Sequence, residues 1–173
     1  MNVLKLIFLD FDGVLNNQLW YVATRGKRVD ESTGKRIVDD IDPKSIEYLN
    51  VLVNETGAKV VVSSTWRLSR VVKELQEILD RNGFQGEVIG KTEDLRVAGS
   101  NYVLRGNEIY HWLNKHTPES LGYDAINYII LDDDSDMLLW QKDHFFQTDP
   151  YCGLTPNLVW RAAKFLNKPV DIS

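Results

Sequence analysis

The chain has 173 residues, 43% of them hydrophobic and 26% charged, and a formal net charge of -5. That length supports one domain with a sizeable core, and the acidic balance argues against a general nucleic-acid coat protein, which needs a basic surface. A phosphorylated substrate is still compatible, because a bound divalent cation offsets part of the charge.

The single cysteine, Cys152, allows no disulfide within the chain and fits a reducing compartment. No apolar run reaches membrane-spanning length, and Lys5 followed by Asp10 is wrong for a signal peptide. A cytoplasmic protein is expected, with no membrane association and no obligate protein partner.

From Leu4 to Leu15 the chain reads Leu-Lys-Leu-Ile-Phe-Leu-Asp-Phe-Asp-Gly-Val-Leu. An apolar run bounded by a turn signal predicts a buried parallel strand. Asp10 and Asp12 then fall at its carboxyl end, where open α/β sheets place their ligands. Strand alternation would put both on one side. Two like charges that close are costly unless a cation joins them. The plain alternative is a turn with solvated carboxylates, and residues further along decide between the two.

Asn16 to Ile41 is polar and aromatic, with turn tips at Thr-Arg-Gly-Lys-Arg and Ser-Thr-Gly-Lys-Arg. It predicts a small flap over the strand end, made of short extended pieces. Its basic residues, Arg25, Lys27 and Arg28 among them, could meet phosphate. Trp20 could stack on a base or pack the flap onto the domain.

Asp42-Pro43 opens a helix with Ile46, Leu49 and Val53 on one face, closed at Gly57. Ala58 to Val62 predicts a second strand, which breaks into Ser63-Ser64-Thr65-Trp66-Arg67. A helix carrying Leu75, Ile78 and Leu79 follows, then a short strand, Glu87 to Ile89, between two glycines. Lys91 to Leu104 is irregular. Arg105-Gly106 leads into a helix with Ile109 and Trp112. Tyr128 to Leu131 predicts a fourth strand, ending in Asp132-Asp133-Asp134-Ser135-Asp136. His144 to Gln147 and a helix from Thr155-Pro156 complete the pattern. The alternation predicts a three-layer α/β/α sandwich on a parallel sheet, one domain over 1–173 with 16–41 as the flap and no large cap domain.

The strand ends therefore offer Asp-x-Asp first, serine second and an acidic cluster fourth, with Arg105 in between. One sheet edge with those groups suits phosphoryl transfer: a carboxylate nucleophile, an acid/base, a metal and donors for phosphate oxygens. The set resembles the haloacid dehalogenase (HAD) superfamily of phosphohydrolases. Phe-Leu-Asp-Phe-Asp-Gly-Val-Leu matches its first motif, Val-Val-Val-Ser-Ser its second, and Ile-Ile-Leu-Asp-Asp-Asp-Ser-Asp is similar to its fourth. The finer pattern, with Ser-Ser-Thr-Trp-Arg and Arg-Gly-Asn-Glu-Ile, resembles the small HAD domains related to RNA-repair proteins.

The resemblance implies a Rossmann-like core and these roles. Asp10 attacks phosphorus and forms an aspartyl-phosphate. Asp12 protonates the leaving oxygen, then activates water, and lends its backbone carbonyl to the metal. Asp133 is preferred as the third metal ligand, with Asp132 the alternative. An all-oxygen set suits Mg2+. Ser63 bonds a phosphate oxygen, with Ser64 the close alternative and a helix cap the plain reading. Where the family usually places a lysine, Arg105 is preferred over Lys91, since it opens a helix and offers a fork to phosphate. Arg67 could reach substrate or pair with an acid.

The expected function is a Mg2+-dependent phosphatase acting on a phosphomonoester, with a nucleotide or nucleic-acid end favoured. A receiver-type phosphoacceptor is the first alternative, but receivers carry their aspartate after the third strand, where Gly90-Lys91 stands here. A metal-dependent nuclease is the second, and no His or Lys partner pattern lies near the acids.

Overall fold

The computed structural model describes residues 1–24, 32–34, 41–97 and 102–170. Its strands are β1 (Val3–Leu9), β2 (Lys59–Val62), β3 (Val88–Lys91), β4 (Ala125–Asp132) and β5 (Phe145–Gln147). Its α-helices are α1 (Gln18–Thr24), α2 (Pro43–Thr56), α3 (Val72–Arg81), α4 (Arg105–Lys115) and α5 (Pro156–Leu166). The strands form one parallel sheet in the order β3-β2-β1-β4-β5. Among the described residues no helix is long and apolar enough to cross a membrane.

The strands are apolar on both faces because both faces are covered. Ile7 and Leu9 of β1, Val60 and Val62 of β2, and Ile129 and Leu131 of β4 pack against α2, α3 and α5. Leu6 and Phe8, Val61 and Ile130 point the other way, to Ile109 and Trp112 of α4. These side chains are within a few per cent of full burial. Each removes apolar surface worth about 1.5–3 kcal/mol.

The helix ends follow local chemistry. The Asp42 carboxylate accepts from the Lys44 N–H at 2.9 Å and Pro43 occupies the first turn. Gly57 ends α2 at φ +69°, with its N–H on the Val53 carbonyl. Thr155 caps α5 through the Leu158 N–H.

Two elements depart from the sequence expectation. β3 runs on through Gly90 and Lys91, which continue the ladder against Val61 and Val62. The start of the flap is helical, not extended. Asn17 Oδ1 accepts from the Trp20 N–H at 2.8 Å, and the carbonyls of Pro150 and Tyr151 take the N–H groups of Gln18 and Leu19. Those three acceptors satisfy the donors that a helix start exposes. The basic flap residues Arg25, Lys27 and Arg28 lie outside the described residues.

Asn17 Nδ2 also donates to Asp42 Oδ2 at 2.7 Å, so Asp42 anchors both helices. Asp42→Ala removes a cap and that bond together. We expect a loss of about 2 kcal/mol, read as a lower urea midpoint at unchanged slope.

Candidate active site

The chain lays down β1, β2 and β3 in one direction and then returns to place β4 on the other side of β1. Such a reversal opens a crevice at the carboxyl ends of the two central strands. Asp10 follows β1 there and Asp132 closes β4. The Asp10 N–H reaches the Leu131 carbonyl at 2.9 Å and extends the pairing past β1. Carboxylate oxygens of Asp10, Asp132 and Asp133 lie within 4.8 Å of one another. They line a pocket of about 290 Å³ together with Asp12, Thr65 and Arg105.

Strand alternation does not place Asp12, because β1 ends at Leu9. The Phe11 carbonyl accepts from the N–H groups of Val14, Leu15 and Asn16, forming a tight turn that carries Asp12 back to the rim. Asp12 is exposed where Asp10 is buried. Gly13 sits in this turn at φ +79°, and a Cβ there would fall 2.3 Å from the Asp133 Cγ. Thr148 joins the two acid-bearing loops: its Oγ1 donates to the Gly13 carbonyl at 2.9 Å and its N–H to the Asp132 carbonyl at 3.0 Å.

Burial pushes the Asp10 carboxyl above its ordinary value, and the Asp12 charge adds to this, while Arg105 and a hydrogen bond from the Ser64 hydroxyl oppose it. Burial and the Asp10 charge push Asp132 up, against the Asp134 N–H and Arg105. Burial and the charges of Asp134 and Asp12 raise Asp133. A buried group of like charges with oxygen donors alone fits a hard divalent cation. Asp10, Asp132 and Asp133 could hold one.

Arg105 is fixed from behind. Its Nη1 donates to Glu108 Oε2 at 2.7 Å, and Arg67 Nη2 meets the same oxygen at 2.5 Å. The Arg105 Nε is buried without a hydrogen-bond partner and stands 3.8 Å from Asp132 Oδ2. A buried donor without a hydrogen-bond partner calls for an explanation, and a ligand oxygen would supply one. Arg67 is 2% exposed and bonds the carbonyls of Ser63, Ser64 and Thr92, so it fastens the turn after β2 and does not line the pocket.

Both serines are fully buried. Ser63 Oγ has no hydrogen-bond partner, whereas Ser64 bonds Asp10 and also caps the short 3-10 turn Thr65–Ser69 through the Trp66 N–H. Lys91 points elsewhere: its ammonium donates to the carbonyls of Arg67 and Arg70 at 2.9 and 2.6 Å. Asp136 has a structural task, since its carboxylate accepts the Arg105 N–H at 2.8 Å and caps α4. Trp20 lines a separate groove with Tyr48 and Leu154.

Sequence reading missed Glu108 and Trp66, whose Nε1 donates to Asp12 Oδ2 at 3.0 Å. Glu108 was legible as an i,i+3 partner of Arg105. Nothing local to Trp66 gives its contact away.

A switch-point pocket of carboxylates on a parallel sheet is where an α/β protein could hold a cation and a ligand. In comparison with protein families, residues 6–159 match the HAD domain in Swiss Army Knife RNA repair proteins, and the chain belongs to that family. The family makes it, in general terms, a HAD-type phosphohydrolase, and the Asp10, Asp132 and Asp133 cluster could hold a metal ion. Comparison with the curated proteins and with the solved structures returns no match.

Two measurements probe the cluster. Asp10 and Asp132 bind protons more tightly folded than unfolded, so their contribution to stability is full at low pH and is lost as pH rises. The window runs from 3.8, the ordinary value, to about 8, where Asp132 has been pushed. With divalent cations chelated, the melting temperature falls across that window, and Asp132→Asn flattens the fall. Gly13→Ala drives a methyl into the Asp133 carboxylate, and calorimetric titration should show Mg2+ affinity reduced about tenfold or more.

Proposed function

We propose that the protein is a Mg2+-dependent phosphatase that hydrolyses a phosphomonoester through an aspartyl-phosphate on Asp10, with a nucleic-acid end as substrate. The observation that carries this reading is the convergence of Asp10, Asp132 and Asp133 at the sheet reversal, beside the unspent Nε of Arg105.

Asp10, Asp132 and Asp133 would hold Mg2+, with the Asp12 backbone carbonyl. Bound there, the cation offsets the charge of the transferring group and keeps Asp10 ionised. Asp10 supplies the attacking oxygen, which requires it unprotonated. Arg105 Nε and Ser63 Oγ would donate to phosphoryl oxygens, since both are buried donors that make no hydrogen bond within the protein. Ser64 orients Asp10 through its hydroxyl. Asp12, exposed at the rim, exchanges protons with the leaving oxygen and then with water.

The RNA-repair description of the family supports a nucleic-acid end as the substrate. With 16–41 as a minimal cap and no large cap domain, the site would be open enough to admit a polymer end.

The test uses p-nitrophenyl phosphate and oligonucleotides phosphorylated at either end, with Mg2+ or with chelator. Phosphate release should require Mg2+ and be faster on an oligonucleotide end. Asp10→Asn should lower it by about a thousandfold or more. A folded Asp10→Asn protein that keeps its activity removes the nucleophile assignment.

A further inference from the structure

The indole of Trp66 reaches the rim from the 3-10 turn after β2, and its Nε1 donates to Asp12 Oδ2 at 3.0 Å. The ring is held in place. Phe11 meets it edge-on with centroids 5.1 Å apart, and the Arg70 guanidinium lies 5.2 Å from its centre. A cation over the ring face strengthens the pull on the N–H. The second Asp12 oxygen, Oδ1, has Asn16 Nδ2 at 3.5 Å, the outer limit of a hydrogen bond.

We propose that Trp66 is a positioning residue that fixes the orientation of the Asp12 carboxylate at the rim, an inference that rests on the phosphatase reading above. An indole N–H donates and cannot accept. Oδ2 therefore serves as its acceptor, and the much longer contact from Asn16 leaves Oδ1 the less constrained oxygen. In the first step an Asp10 oxygen bonds to phosphorus, the ester P–O bond breaks, and the leaving oxygen takes the electron pair and a proton from Asp12. In the second, water gives a proton to Asp12 and its oxygen bonds to phosphorus. The Asp10–phosphorus bond then breaks, releasing phosphate and restoring both carboxyl groups. Trp66 holds Asp12 throughout and exchanges no proton.

The test compares kcat/KM on two substrates. p-Nitrophenol leaves as a stable anion and gains little from protonation, whereas a simple alkyl alcohol depends on it. Trp66→Phe keeps an aromatic ring beside Phe11 and Arg70 and removes the N–H. It should cost about tenfold or more on an alkyl phosphate and less than about threefold on p-nitrophenyl phosphate, since general acid catalysis supplies roughly a hundredfold or more where it is needed. Replacing Trp66 with benzothienylalanine keeps the indole shape and should give the same split, which covers a Trp66→Phe protein that does not fold. Equal losses on both substrates, or no loss on either, overturn the proposal. Asp10→Asn is assayed in parallel: if it stays active, the phosphatase reading itself has failed, an outcome distinct from an even response at Trp66.

Discussion

Three carboxylates with oxygens within 4.8 Å of one another, at a rim where two of them are nearly sealed from water, are the constraint that the rest of the molecule serves. Like charges so placed repel, and burial removes the solvent that would screen them. The fold tolerates this because the acids hang on the two central strands, β1 and β4, whose pairing runs the length of β1 from Val3 to Leu9. Repulsion at the tip cannot spread strands that are paired along their whole length. Ser64, the Asp134 N–H and Arg105 each return part of the lost solvation.

Arg105 in turn depends on Glu108, which it shares with Arg67. One buried carboxylate thus joins α4 to the turn after β2. Removing it would strand two guanidinium groups in a dry interior, a change of the kind that costs about 3–5 kcal/mol. Arg105 meets Glu108 through Nη1 and faces Asp132 through Nε, so the scaffold and the pocket draw on different atoms of one side chain.

The architecture was legible in the sequence because its signals are local: apolar runs of strand length, Asp42-Pro43, Thr155-Pro156 and Gly57. The acids were legible because they directly follow two such runs. What escaped depended on residues distant in sequence. The helix over Gln18–Thr24 takes its first hydrogen bonds from Pro150 and Tyr151, which no window around residue 18 contains. Lys91 looked available beside a strand end, but carbonyls of the turn after β2 occupy its ammonium. Asp136 looked like one more acid in a run and proved to cap α4. Trp66 meets Asp12 across 54 positions.

Among the described residues the pocket presents carboxylates, a threonine, a glycine and an arginine, and no apolar side chain lines it. A wall of that kind has nothing with which to grip the carbon skeleton of an alcohol. On the proposed reading it would recognise a phosphoryl group by its charge and have little hold on what that group is attached to. Choice among esters would then fall to surfaces outside the rim, so one sheet edge could serve a single chemistry on many clients.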